Sequence, residues 1–285
     1  MRGKLLALSG ILILAASVAS AQEKASAPIY DAMYCSGRID GEAIPTDTVL
    51  ITGEGSDYKA TFQEGDYIYV NKGSSQGMKV GDEFLVMRQI SDPTQYPWFK
   101  GQFSILHKIG TMWEDEGRLR VVVTQPNVSI TQVIHSCGYM QRGDIVLPAT
   151  ERPAPPLKPE EKFDRFAPPS GKSLAMVVTG KYYHVSLGTN DIAYVNLGAN
   201  QGVKIGDYFR IFRYTGQQNE TAYQDPGFAF RVYGFGGVSS KYNWQNVPRE
   251  VVGEGIVLRT TPNASTVLIT FALTEVYAGN YVELE

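Results

Sequence analysis

The chain has 285 residues, 43% hydrophobic and 19% charged, with 29 Gly, 15 Pro, 17 Tyr and only 2 Cys. Its 26 Lys and Arg stand against 29 Asp and Glu, a formal net charge of −3 at pH 7. These values exclude a disordered tail, a collagen, a coiled coil, a disulfide miniprotein and a basic nucleic-acid binder, and they allow two cores of about 100–150 residues.

Residues 1–21 read as a signal peptide. Arg2 and Lys4 precede an apolar run from Leu5 to Ala16, and Ala19-Ser20-Ala21 supplies a small-x-small cleavage pattern before Gln22. The run is too short to span the ~30 Å hydrocarbon core of a bilayer comfortably, and no later segment is apolar enough to do so. Cleavage near Ala21 is expected to release a periplasmic or secreted protein without a transmembrane segment.

An N-terminal segment, 22–47, carries Cys35; the only other cysteine is Cys137. Export places both where disulfides persist, so one bridge is expected, closing a loop of roughly 100 residues. Two buried free thiols are the alternative. A structural zinc site needs about four ligands, and His107, His135 and His184 are scattered singly. No metal or other cofactor is expected.

Residues 48–148 and 174–285 are two copies of one unit. Residues 66–88 and 191–213 align without a gap at 12 of 23 identical positions. Pro126-Asn127 and Gly143-Asp144 recur as Pro262-Asn263 and Gly279-Asn280, again 17 residues apart. The length of the interval points to duplicated domains rather than a solenoid. Strands are expected at Val49–Thr52, Tyr67–Val70, Leu119–Thr124, Thr131–His135 and Asp144–Leu147. Their counterparts are Met176–Thr179, Ile192–Val195, Ile256–Thr260, Ser265–Thr270 and Tyr281–Leu284. Between two strands of each copy the glycines recur at four-residue spacing: Gly73, Gly77 and Gly81, then Gly198, Gly202 and Gly206. Asp82 and Asp207 follow, placed to accept backbone N–H bonds and fix the turn. In the next strand Phe84 and Val86 correspond to Phe209 and Ile211, so this face is expected to point inward. The fold class expected is all-β with minor α: two duplicated small β-barrel domains, with one helix candidate at Trp98–Ile109. A sandwich is the alternative.

Between the copies, residues 149–173 are rich in proline and charge and are expected to run extended as a semi-rigid spacer. Gly171-Lys172-Ser173 superficially matches a phosphate loop, but Phe166 stands where the leading glycine is required.

The segments YVNKGSSQGMKVGDEFLVMR and YVNLGANQGVKIGDYFRIFR resemble the C-terminal barrel domain of the flagellar assembly protein T family. They are also similar to barrel modules of exported bacterial proteins associated with LysM repeats. Ser129 to Val146 fits the same domain. The resemblance implies an exported family built from two barrel modules, and it carries no catalytic residues.

Chemistry-bearing groups are few. His135 and Cys137, two apart on a strand, share a face and suit a thiolate-imidazole pair, but an oxidised sulfur cannot attack. Glu114, Asp115 and Glu116 beside Trp113 suit a glycosidase's carboxylates; the expected reading is a solvated turn, with Gly110 as a turn and Arg118 to Arg120 as exposed strand positions. The inserts 89–117 and 214–253 hold all three tryptophans. Trp98, Trp113, Trp244, Tyr96 and Tyr242 are the candidate binding residues, since Trp and Tyr dominate binding hot spots; a satellite core or a domain contact is the other reading. The function expected is a non-enzymatic envelope scaffold that binds a protein partner. Peptidoglycan or polysaccharide binding is the alternative, and a hydrolase the third choice.

Overall fold

The structure, a computed structural model, describes residues 30–55, 57–91, 95–159, 162–214 and 248–285. In chain order the first half contains α1 (Tyr30–Tyr34), β1 (Arg38–Asp40), β2 (Leu50–Gly53), β3 (Thr61–Phe62), β4 (Tyr67–Val70) and β5 (Glu83–Ile90). It continues with α2 (Gln102–Ile109), β6 (Thr111–Thr124), β7 (Ser129–Ser136), β8 (Met140–Gln141) and β9 (Ile145–Pro148). The second half contains β10 (Leu174–Gly180), β11 (Ser186–Leu187), β12 (Ile192–Val195) and β13 (Tyr208–Tyr214). Beyond these lie β14 (Arg249–Thr260), β15 (Ser265–Ala272), β16 (Val276–Tyr277) and β17 (Tyr281–Leu284). The expected strands all form, with several extended, and the helix begins at Gln102 rather than Trp98.

Both halves wind their strands in the same order. The second is a closed barrel, β10-β12-β15-β14-β13-β17, with β17 pairing back onto β10. The first runs β2-β4-β7-β6-β5-β9. Its ends meet through a single bridge, Val49 to Ile145, and through backbone hydrogen bonds such as Val146 N–H to Thr48. Closure leaves no long unpaired edge. Even the irregularities repeat. A register shift falls between Val86 and Met87 in β5 and between Ile211 and Phe212 in β13.

The repeated polar residues explain the repeated topology. Asn71 Oδ1 accepts the Val49 N–H and Asn196 Oδ1 the Met176 N–H, both at 2.7 Å, tying the end of one strand to its neighbour. Asp82 accepts the Lys79 N–H at 2.9 Å and Asp207 the Lys204 N–H at 2.8 Å. Asp144 and Asn280 do the same for Gln141 and Tyr277. Gly73 and Gly198 are required by contact: an added Cβ would lie 1.9 Å from the Gln125 carbonyl oxygen and 2.3 Å from that of Thr261. Gly77 and Gly202, at φ 89° and 86°, close the short 3-10 turns that follow.

Inside the first barrel Phe62, Ile68, Val70, Val86, Leu119, Val133 and Val146 are buried, with Phe84 against them; inside the second are Val177, Val195, Phe209, Ile211 and Val267. The inward face expected for Phe84, Val86, Phe209 and Ile211 is therefore present. Leu85, on the opposite face, is buried as well, because the barrels are fused side by side. A third apolar cluster joins Met33, Ile39, Leu85 and Met112 to Val178, Tyr194, Leu258 and Leu268. The stretch before and through β1 is gripped between them. Tyr194 donates to the Ser36 carbonyl and Thr261 to that of Ile39, each at 2.8 Å.

The stretch 149–173 joins the two copies without regular structure among its described residues, and it also packs against them. These residues strap both barrels. Arg152 pairs with Asp115 of the first, while Lys158 pairs with Glu254 and Glu285 of the second. Ala167 is buried against Phe212 and Val251. Proline keeps the strand ladder from extending, but side chains supply the contacts that composition alone does not reveal. Among the described residues no helix is long and apolar enough to cross a membrane.

Candidate functional site

Cys35 and Cys137 are disulfide-bonded, with Cα atoms 5.3 Å apart. The bridge pins the end of α1 to the end of β7. Beside it, where the N-terminal segment and both barrels meet, opens a cleft of about 570 Å³. Asp31 and the disulfide line one side; Lys181, Tyr182, His184 and Asp191 line the other. Junctions between domains are where ligand clefts concentrate.

The wall at Lys181–His184 is strained. Tyr182 and Tyr183 have φ of 54° and 55°, and Asn190 in the same wall has 73°. Left-handed backbone costs a non-glycine residue about 1–2 kcal/mol. Asn tolerates it, but two successive tyrosines do not adopt it for local reasons. Tertiary contacts enforce the kink, because the Tyr96 hydroxyl donates to the Tyr183 carbonyl at 2.8 Å. The result aims the Tyr182 ring outward, 52% exposed. Lys181 Nζ lies 4.6 Å from its centroid, and the His184 ring is 6.2 Å away.

The solvated turn expected at Glu114–Glu116 is absent. All three acids lie in β6 and are buried. Because β6 starts at Thr111 and overshoots the barrel, these residues sit under the junction. Asp115 accepts the Gly37 N–H at 2.9 Å and pairs with Arg152 and Arg259, at 3.1 and 2.9 Å. Burial pushes its pKa up, but the two guanidiniums and the Gly37 N–H outweigh it and hold the carboxylate below its usual range. Burial in turn lowers Arg259 to about 10, against the Asp115 charge.

Glu114 is the opposite case. Neither carboxyl oxygen has a well-formed hydrogen bond among the described residues, although the Tyr182 backbone comes near enough to help hold its pKa down. Burial raises its pKa to about 8; Asp115 and Glu116 add to the rise and Lys181 opposes it. Glu116 occupies the extra position of the strand bulge and pairs with Arg88 at 3.0 Å. Arg88 also forks onto Asp144, with two contacts of 2.8 Å. In the second barrel the corresponding bulge residue is Val252, buried in the core. Asp115 and Glu116 thus have apolar counterparts, Val251 and Val252, whereas Glu114 corresponds to Glu250.

The described aromatic candidates, Tyr96, Trp98 and Trp113, do not make an exposed face. Tyr96 is buried, and Trp98 stacks on it at 5.2 Å between centroids. Trp98 Nε1 donates to the Ala278 carbonyl at 3.0 Å. Gln102 of α2 donates to the Val178 carbonyl at 3.0 Å. The first insert thus clamps onto the second barrel. Trp113 is buried with Met87 and Ile145. Trp244 and Tyr242 lie outside the described residues, as do residues 1–21. Arg118 is mostly buried against Glu83, not exposed. Gly110 caps α2. His107 lies exposed on α2, away from the cleft; His135 reaches Cys35 Sγ at 3.4 Å.

Sequence reasoning missed Lys181–His184. The run Lys-Tyr-Tyr-His is unremarkable as composition, and only its backbone dihedrals single it out. No protein-family model matches the chain, and no curated protein is similar enough to count as a relative.

Proposed function

We propose that the protein is an exported, non-enzymatic component of the cell envelope that holds a protein partner in the cleft between its fused barrels. The observation that carries this reading is the strained Tyr182–Tyr183 pair. Strain of this kind persists where surrounding structure over-determines it, and it clusters at ligand clamps. The polar residues shared by the two copies support the same reading, since Asn71, Asp82 and Asp144 and their counterparts are committed to turns. The resemblance to the barrel domain of flagellar assembly protein T, and to barrels that accompany LysM repeats, fits a module used for assembly.

A cell-wall glycan is the second reading. It is favoured by one observation: the exposed Tyr182 ring stands beside Asn190, Asp191 and Lys181. An aromatic platform flanked by polar groups suits a sugar face.

Two assays separate the readings. Mature protein is incubated with purified peptidoglycan and sedimented, and in parallel crosslinked in intact envelopes. A discrete protein adduct lost in Tyr182→Ala, with the protein left in the supernatant, supports the first reading. Sedimentation abolished by Tyr182→Ala supports the second. Behaviour unchanged by Tyr182→Ala in both assays removes the cleft from either.

A further inference from the structure

The disulfide gathers more than two sulfurs. Asp31 lies on α1 and Cys35 directly follows that helix; His135 and Cys137 alternate at the end of β7. His135 Nε2 is 3.4 Å from Cys35 Sγ and 3.1 Å from Asp31 Oδ1. The donor atoms of Cys35, His135 and Cys137 all lie within 4.8 Å of one another.

These spacings are those of a metal polyhedron. Zinc bonds of about 2.3 Å to sulfur and about 2.1 Å to nitrogen or oxygen set the edges of a tetrahedron. Sulfur and nitrogen ligands are then about 3.5 Å apart, and nitrogen and oxygen ligands about 3.4 Å. The edge from His135 to Cys35 is therefore close to the required length already. The bond between the sulfurs is the obstacle, because a disulfide offers no thiolate. Once it is broken, turning the Cys137 side chain to open the sulfurs to about 3.8 Å completes the set.

We propose that Cys35, Cys137 and His135 form a redox-gated zinc site, with a water as fourth ligand. Reduction is by a dithiol. One of its thiolates attacks a protein sulfur to give a mixed disulfide, and its second thiol resolves it. The dithiol departs as its own disulfide, and its two electrons leave Cys35 and Cys137 as thiols. Zinc then displaces the two thiol protons to solvent and binds His135 as the neutral imidazole. The two-sulfur, one-nitrogen set selects a borderline-soft ion and discriminates against calcium and magnesium. The Tyr30 ring packs edge-on against His135, 4.9 Å between centroids, and restricts its rotation. Coordination takes over from the covalent bridge, so α1 stays fastened to the first barrel in either redox state.

The test uses the full mature chain, oxidised or reduced with a dithiol that is then removed without air. Cobalt is added first as a spectroscopic probe, then zinc. The reduced chain should take up one equivalent of cobalt, with thiolate charge-transfer and intense four-coordinate bands, and zinc should displace it. The oxidised chain should show neither. His135→Gln, which leaves the sulfurs intact, should weaken uptake at least tenfold, and Cys137→Ser should abolish the thiolate bands seen with two sulfurs. Zinc should also raise the melting temperature of the reduced chain, which ligands scattered on an unfolded chain would not do. No uptake after reduction, equal uptake by the oxidised chain or by His135→Gln, or uptake without a rise in melting temperature would each overturn the proposal.

Discussion

Arg259 of the second barrel reaches Asp115 of the first, guanidinium nitrogen to carboxylate oxygen 2.9 Å. Both side chains are nearly or fully removed from solvent, and Arg152 of the connecting strap completes the group at 3.1 Å. One acid thus joins three parts of the chain. Asp115→Ala would leave two guanidiniums facing each other without their shared counter-charge. Breaking a buried pair from one side costs about 3–5 kcal/mol. Chemical denaturation should show that loss, whereas Glu42→Ala, an exposed acid in the same half, should change stability by less than about 0.5 kcal/mol.

Glu114 predicts an unusual dependence on pH. Its carboxyl keeps its proton to about pH 8 in the folded chain, against 4.5 for the ordinary group. Between these values the unfolded chain binds fewer protons than the folded one, so stability falls as pH rises. The contribution is complete below about pH 4.5 and lost through about pH 8, on the order of 5 kcal/mol in all. Asp115, Glu116, Lys181 and the Tyr194 hydroxyl are the charged or titratable groups acting across the same space. Denaturation midpoints of wild type and Glu114→Gln, measured from pH 5 to 8.5, should diverge, with the variant showing the flatter profile. Parallel profiles would show that Glu114 is ionised throughout.

Strain at Tyr182 separates stability from binding. Asn accepts left-handed backbone more readily than Tyr. Tyr182→Asn should therefore hold or raise stability, by up to about 1 kcal/mol, while removing the ring that the proposed partner contacts. A thermal melt together with the envelope crosslink reads both. Lost stability accompanied by lost binding would mean that the tyrosine supports the fold instead.

The glycines can be graded by what surrounds them. Gly73→Ala drives a methyl group to within 1.9 Å of a carbonyl oxygen and should cost about 3 kcal/mol or more. Gly188→Ala meets only the far end of Asp191, at 3.9 Å, and should stay within about 1 kcal/mol. Equal effects in denaturation would contradict the packing assigned to the turn.

The fold was readable because duplication made its fixed points visible. Asn71 and Asn196, Asp82 and Asp207, and the glycines between them repeat because each performs the same backbone task in its own barrel. The pairing of Cys35 with Cys137 followed from there being no third cysteine. The junction was not readable, because Asp115 and Glu116, which set it up, have only Val251 and Val252 as counterparts in the second copy. Glu114, Asp115 and Glu116 are poor strand formers, and only their place in a strand that overshoots the barrel buries them. Trp113 sits in that same overshoot, and the aromatic insert that looked like a recognition face became a clamp. Tyr182 and Tyr183 carry no local signal, since contacts from remote segments, among them the Tyr96 hydroxyl on the Tyr183 carbonyl, meet their backbone. His135 could be paired with Cys137 from spacing alone, but its contact with Asp31 exists only because the bridge brings α1 to β7.

The account rests on the cleft between the barrels being the surface the protein uses. A photoreactive amino acid placed at position 182, in the cleft wall, and separately at Tyr58, which is 88% exposed on the first barrel, tests this directly in the native envelope. The account predicts a discrete crosslinked species from position 182 and none from position 58. No adduct at 182, or the same adducts from both positions, would contradict it.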